Sequence, residues 1–253
     1  MKWLFIPLLL CCLFFPNRSL LAQQPPHTDA ILAPLESDGT LSVVSPIPQT
    51  GDQPLLVILV DFPDRPGLFT GQAWRQSFFG SGAIVGMANG APVTNGSGVA
   101  YIRLPNPITY YANGNHGFSM GTQYFPRNGG GVVYHALQAL DAAGFNFAPY
   151  ANPTTKRVEN LVVVFAGSSY AYTRDTNNSL EATAYQITHA GGQQFVARGG
   201  QLADSYTFCP DQRFNLSQQI AYIGVCAHEH GHALGMVDLY DFSTRTSGVG
   251  YFD

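Results

Sequence analysis

Charged side chains are scarce in this chain of 253 residues, since Asp, Glu, Lys and Arg together make up only 11% of it. An average soluble domain has roughly a quarter. Basic residues are fewer than acidic ones, 12 against 16, and no run of Lys or Arg occurs. This composition argues against a basic patch for nucleic acid. Hydrophobic residues reach 45%, which suffices for a sizeable core and argues against wholesale disorder.

Long apolar runs are lacking except near the start of the chain. Residues 3–15 are mostly apolar and follow Lys2, but they are too few for the roughly 20 residues of a membrane-spanning helix. A break at 16–18 and a small residue, Ala22, come next. These features predict a secretory signal peptide over residues 1–22. We therefore expect an exported protein, secreted or held in a periplasm, with no membrane association after the signal is cleaved.

Cysteine is rare as well, with four in the chain. Cys11 and Cys12 fall within the predicted signal peptide, which leaves Cys209 and Cys226 in the mature protein. Two cysteines in an exported protein suggest one disulfide that closes a short loop. A pair of buried thiols is the alternative.

The remaining chain divides into an arm and a domain. Residues 23–53 are rich in Pro, Gln, Ser and Thr without a sustained period, which is typical of a leader or a loosely attached N-terminal arm. The folded domain is expected over residues 54–253. Continuous apolar runs at 55–60 and within 158–166 predict two strands buried on both faces.

Weaker signals predict further elements. Residues 80–130, rich in Gly, Asn and Pro, are interpreted as long loops with one strand near 99–104. The other expected elements are helices at 72–79, 132–143 and 217–234, and short strands at 183–188, 194–197 and 205–208. In the last helix, Ser217 can cap the first turn and Gly235 can end it.

That helix carries the strongest chemical signal, His228 and Glu229 followed by His232, an HExxH pattern. Residues four apart lie on one helix face, so the two imidazoles can converge on one Zn²⁺. Glu229 lies about 100° round the helix from His228, where it can take a proton from water beside the metal. His230 lies about 200° from either ligand and is expected to face away.

A third ligand is expected just beyond the helix. Gly235 can take a left-handed conformation and turn the chain sharply, which would bring Asp238 back towards the metal. Two imidazoles, one carboxylate and an open fourth position describe a catalytic zinc site. Alternatively, Asp238 bonds backbone donors of the turn or binds a different cation.

Residues 228–241, HEHGHALGMVDLYD, resemble the signature of the immune inhibitor A family of secreted bacterial metallopeptidases, which are metzincin-like zincins. Residues 54–64, 159–167 and 223–227 are similar to the family's opening strand, central strand and approach to the metal helix. The resemblance implies an α+β fold of zincin-like type, with a twisted mixed β-sheet, a backing helix such as 132–143, and the active-site helix under the sheet. It also implies that His228, His232 and Asp238 are ligands and that Glu229 is the catalytic base.

Three departures from the family matter. Val237 replaces a usual Pro, a minor change. Residues 150–157 contain no carboxylate, so a calcium site there is not expected. The chain stops at Asp253, where the family approaches its Met-containing turn, so we expect a piece of a longer protein.

These features predict a secreted zinc endopeptidase that hydrolyses protein or peptide substrates. One alternative is a secreted zinc-binding module without turnover. Another is a serine hydrolase, because Gly117, Ser119 and Gly121 fit the GxSxG pattern of a nucleophile elbow. That elbow needs a strand before it and a helix after it, whereas the flanking residues are turn-like and include Pro126.

Overall fold

The structure, a computed structural model, describes residues 54–77, 83–88, 91–94, 101–212, 220–221 and 223–236. The predicted signal peptide and N-terminal arm, together with Ser217 and Asp238, lie outside the described residues.

A central sheet organises the described part of the chain. Its strands are β1 (Leu56–Asp61), β2 (Ala83–Ala88), β3 (Ala91–Thr94), β4 (Ile102–Arg103), β5 (Leu161–Phe165), β6 (Thr183–Gln186) and β9 (Ser205–Pro210); β7 (Phe195–Val196) and β8 (Leu202–Ala203) pair separately. The helices are α1 (Gly71–Ser77), α2 (Ile108–Ala112), α3 (Gly129–Ala142), α4 (Tyr170–Thr173) and α5 (Ile223–Ala233), with a 3₁₀ turn at Ala148–Tyr150. None of these helices is long and apolar enough to cross a bilayer.

The sheet is mostly parallel. Its strand order is β3-β2-β1-β5-β9-β6, and β4 also pairs with β1. All pairs are parallel except β2 with β3 and β6 with β9. The α+β class and the mixed sheet expected from the sequence are therefore confirmed.

The two predicted buried strands, β1 and β5, form the centre of this sheet. Every residue of both is buried, as their continuous branched apolar runs indicate. Successive side chains point to opposite faces, so Leu56 and Ile58 join one core cluster while Val57 and Leu59 join another. Helix α3 packs into the first cluster.

The second cluster lies on the other face of the sheet and includes Trp74 of α1 together with Cys226 of α5. Helices α5 and α3 therefore cover opposite faces of one sheet. This arrangement places α5 against β9 and β6, at the end of the strand order.

Residues 80–130 are not simply long loops with one strand, as the composition suggested. The described part contains β2, β3 and α2, with β4 inside the predicted 99–104. Strand β2 pairs in parallel with β1 and antiparallel with β3. The partner β1 lies far earlier in the chain, so the local composition does not reveal this pairing. In α2, burial of Ile108 and Tyr111 gives the short helix its tertiary support.

Most other predicted elements occur within a few residues of their expected bounds. Helix α3 begins before the predicted 132 because Asn128 caps it, its side chain accepting a hydrogen bond from the Gly131 N–H. Helix α5 begins at Ile223, later than the predicted 217, because Ile220 and Ala221 instead pair with the chain after β9, through a bridge to Gln212 and a hydrogen bond to the Asp211 carbonyl. It ends as predicted. Gly235 takes a positive φ of 87°, and the Met236 N–H donates to the Gly231 carbonyl.

Candidate metal centre

Helix α5 presents two different sides. Cys226, Glu229 and Ala233 are buried, and Ala233 packs with Ala184 of β6. His228 and His232 are half-buried, and the helical period of 3.6 residues places them away from this buried side. The histidine pair therefore faces outward from the sheet, while the buried side anchors the helix.

The two predicted ligands lie close together. Nε2 of His228 is 3.3 Å from Nε2 of His232, and the rings stand edge to face with an interplanar angle of 86°. Two nitrogens that each bind one tetrahedral Zn²⁺ at about 2.0–2.1 Å lie about 3.3–3.4 Å apart. The separation of the two Nε2 atoms therefore suits a shared metal ion.

A backbone group orients one of these rings. Nδ1 of His232 lies 2.9 Å from the carbonyl oxygen of Met236. A carbonyl only accepts hydrogen bonds, so Nδ1 is the donor, and in the neutral ring Nε2 then presents its lone pair. Hydrogen bonds of this kind fix the tautomer of metal-binding histidines. The turn at Gly235 brings this carbonyl into place.

Glu229 occupies the buried side of the helix, with only 3% of the residue exposed. Its carboxylate lies near the sulfur of Cys209, and its charge is one of the smaller causes that raise the pKa of that thiol. Glu229 is thus shielded from solvent, directly after His228 in the sequence and three residues before His232.

His230 turns away from His228 and His232, as its angular position predicts. Its Nδ1 lies 3.1 Å from the hydroxyl oxygen of Thr207 on β9. Burial lowers the pKa of His230, which favours the neutral ring. His230 therefore ties α5 to the sheet and is a natural comparison residue for the two predicted ligands.

The two cysteines of the mature chain meet at the same contact. Cys209 on β9 and Cys226 on α5 are free thiols in the structure, and both are buried. Burial, followed by a hydrogen bond with Cys226, raises the pKa of Cys209 well above its usual value. The structure brings together the two residues of the candidate disulfide, and the bond itself stays a prediction.

A buried carboxyl group that the sequence did not single out lies at the end of β9. Asp211 accepts hydrogen bonds from the Gly167 N–H at 2.7 Å and the Tyr101 hydroxyl at 3.0 Å. The Trp74 indole N–H donates to the same hydroxyl. Burial raises the pKa of Asp211 to about 6. No local sequence signal marks this network, because its members are far apart in the chain.

Ser119 lacks the setting of a nucleophile elbow. Within the continuous described stretch 101–212, it follows the turns after α2 and precedes further turns, with α3 beginning only at Gly129. Its carbonyl oxygen accepts a hydrogen bond from Asn128. The strand–turn–helix arrangement that exposes a serine nucleophile does not surround Ser119.

Among the residues that the structure describes, no group of three or more His, Cys, Asp or Glu side chains is arranged to hold a metal ion. The predicted third ligand, Asp238, lies outside them. Within the described residues, the candidate site thus consists of two converging imidazoles and a buried carboxylate on the same helix. One of the imidazoles, that of His232, is oriented by a hydrogen bond to a backbone carbonyl.

No protein-family model and no curated protein matches this chain.

Proposed function

We propose that this protein is an exported zinc-dependent endopeptidase with a zincin-like catalytic domain. The observation that carries the proposal is the 3.3 Å separation of the two Nε2 atoms on α5. The hydrogen bond from His232 to the Met236 carbonyl supports it, because it leaves the coordinating nitrogen unprotonated. The proposed third ligand is Asp238.

Each residue then has a defined role. His228 and His232 would hold a zinc ion through Nε2. Such an ion would supply Lewis-acid chemistry, which lowers the pKa of water and polarises a peptide carbonyl. Glu229 accepts a proton from the attacking water and passes it to the leaving amine. The Met236 carbonyl keeps His232 in its coordinating tautomer.

Strand β6 is the proposed support for a substrate chain. Among the described residues it pairs only with β9, so its other edge can hydrogen-bond an extended peptide through the main chain. Ala184 of this strand packs against Ala233 and Leu234, which places the edge beside the metal helix. Recognition of main chain before side chains fits a protein or peptide substrate.

Metal content tests the site directly. We expect one zinc ion per chain in the purified full-length protein, measured by elemental analysis. His228→Ala and His232→Ala remove a ligand and should each lose most of the zinc. His230→Ala is the matched control, because it changes the same residue type on the same helix away from the metal. Equal zinc loss in all three variants, or no zinc in the wild type, contradicts the proposal.

Inhibition tests the chemistry. Hydrolysis of casein should stop on addition of 1,10-phenanthroline and return with zinc, while a serine-directed fluorophosphonate should leave it unchanged. Inhibition by the fluorophosphonate would instead favour Ser119 as a nucleophile. Bound zinc without any hydrolysis by the full-length protein would favour a zinc-binding module without turnover.

A further inference from the structure

The contact between α5 and the central sheet contains a pair of sulfur atoms that the proposed hydrolysis does not use. Cys209 lies on β9, where it is 0% exposed, and Cys226 lies on α5, where it is 2% exposed. Both belong to the core cluster formed with Val164 and Trp74. Cys226 is also a side-chain hydrogen-bond partner of Cys209. One strand and one helix therefore present their thiols directly to each other.

This contact lies close to the predicted metal ligands. Cys226 stands two residues before His228, and the same side of α5 continues with Glu229. Further along α5, His230 and Thr207 share a hydrogen bond and Ala233 packs against Ala184. A covalent link at Cys226 would therefore add a fixed point in the N-terminal half of α5, on the side of these contacts nearer the start of the helix.

We propose that Cys209 and Cys226 form a disulfide latch that closes while α5 docks on the sheet and then holds the metal helix in place. The effect of the latch on the metal rests on the proposed zinc site. The latch itself does not, because it is defined by the strand, the helix and their two sulfurs.

The chemistry needs a disulfide oxidant, either a small-molecule disulfide or a thiol–disulfide oxidoreductase. One cysteine thiolate attacks the oxidant's S–S bond, forming a mixed disulfide and releasing the first oxidant thiol. The second cysteine attacks the mixed disulfide, which forms the Cys209–Cys226 bond and releases the second oxidant thiol. Two electrons pass to the oxidant, and the two protons lost by the cysteines are taken up by its departing thiolates.

Burial decides when this reaction occurs. Both sulfurs are inaccessible once α5 is docked, so an oxidant reaches them only before docking or when the helix lifts. For the same reason a reductant does not open the latch in the docked state. The disulfide therefore forms while the protein folds in an oxidising compartment, and it persists in the folded protein.

The first test is the bond itself. The full chain is exported from an oxidising host, digested without reduction and analysed by mass spectrometry. We expect the peptide containing Cys209 to be linked to the one containing Cys226. Free thiols at both positions, or a link from either cysteine to any other, overturns the proposal.

The second test compares the oxidised protein with protein refolded under reducing conditions. Closing a short loop should raise Tm by about 5–10 °C and slow the transfer of bound zinc to a chromophoric chelator. A Cys209→Ala/Cys226→Ala double variant should show no difference between the two preparations. Thr207→Val is the matched control: it removes the hydrogen bond between α5 and β9 at His230 in both preparations and should leave the redox difference intact.

The outcomes separate the two proposals. A linked pair with a raised Tm in a protein that binds no zinc supports the latch and refutes the metal site. A linked pair in a zinc-binding protein whose Tm and zinc release are the same in both preparations overturns the latch. A redox difference that persists in the double variant also overturns it.

Discussion

The close approach of the His228 and His232 side chains was predictable from the sequence, because the helical period alone places residues four apart on one face. The 3.3 Å separation of their Nε2 atoms in the structure agrees with that inference. The partners that orient the helix were not predictable from local sequence. Met236 acts through its carbonyl oxygen, which every residue has, and Thr207 reaches His230 from a distant strand. The HExxH motif therefore predicts which side chains share a helix face, whereas the hydrogen bonds that orient them depend on tertiary contacts.

Glu229 provides the sharpest test at the scale of a single residue. Glu229→Gln keeps the size and burial of the side chain but removes its ability to accept a proton. We expect peptide hydrolysis to fall by about 10²–10⁴-fold, measured with a generic casein substrate, while zinc content stays unchanged. Retained turnover in a variant with full zinc content would refute the role of Glu229 as base.

At the scale of elements, the start of α3 shows how close packing overrides propensity. Three glycines open this helix, although glycine is a poor helix former. A Cβ at Gly131 would collide with the backbone of Pro126, and one at Gly130 would collide with the side chain of Ala190. The sequence therefore indicated a later start, because the reason for these glycines lies in neighbours that only the fold brings close.

Gly131→Ala should destabilise the protein by about 3 kcal/mol, because the added methyl group meets backbone that cannot move away cheaply. Gly129→Ala is the matched control in the same turn. Its Cβ would lie 3.6 Å from the nearest atom, the carbonyl oxygen of Gly117, so the free energy of unfolding should change by less than about 1 kcal/mol. Urea denaturation of both variants measures the difference, and equal stabilities would contradict this account of the helix start.

At the scale of the whole molecule, the sheet was partly predictable. The apolar runs of β1 and β5 predicted its buried centre, since a strand covered on both faces has no polar alternation. The strands β2 and β3 were missed, because the Gly-, Asn- and Pro-rich composition around them is typical of loops and the pairing of β2 with the distant β1 leaves no local signal. Nor did the sequence reveal that α3 and α5 cover opposite faces, which follows from the alternation of side chains in the assembled sheet.

The buried Asp211 should make the stability of the whole domain depend on pH. Burial raises its pKa from 3.8 to about 6, so the folded state favours the protonated carboxyl group. The resulting contribution is fully present below pH 3.8 and is lost as the pH rises through about 6. Relative to Asp211→Asn, the free energy of unfolding of the wild type should therefore fall by about 3 kcal/mol between pH 3.5 and pH 7.5.

Urea denaturation of both proteins across this range measures the effect. Other groups that titrate, including the histidines of the proposed metal site, affect both proteins alike and cancel in the difference. A difference that stays constant with pH, or one that grows in favour of the wild type at high pH, would show that Asp211 is ionised at no cost in the folded protein.

The bond between the His232 ring and the Met236 carbonyl has a consequence for how mutations are tolerated at this corner. The acceptor belongs to the peptide unit, so exchanging the methionine side chain, 64% exposed, should leave the imidazole aligned. The neighbouring position is different, because its φ of 87° suits a residue without a Cβ. Variation among natural or engineered versions of this protein should therefore be wide at 236 and narrow at 235, although 236 is the one that touches the histidine.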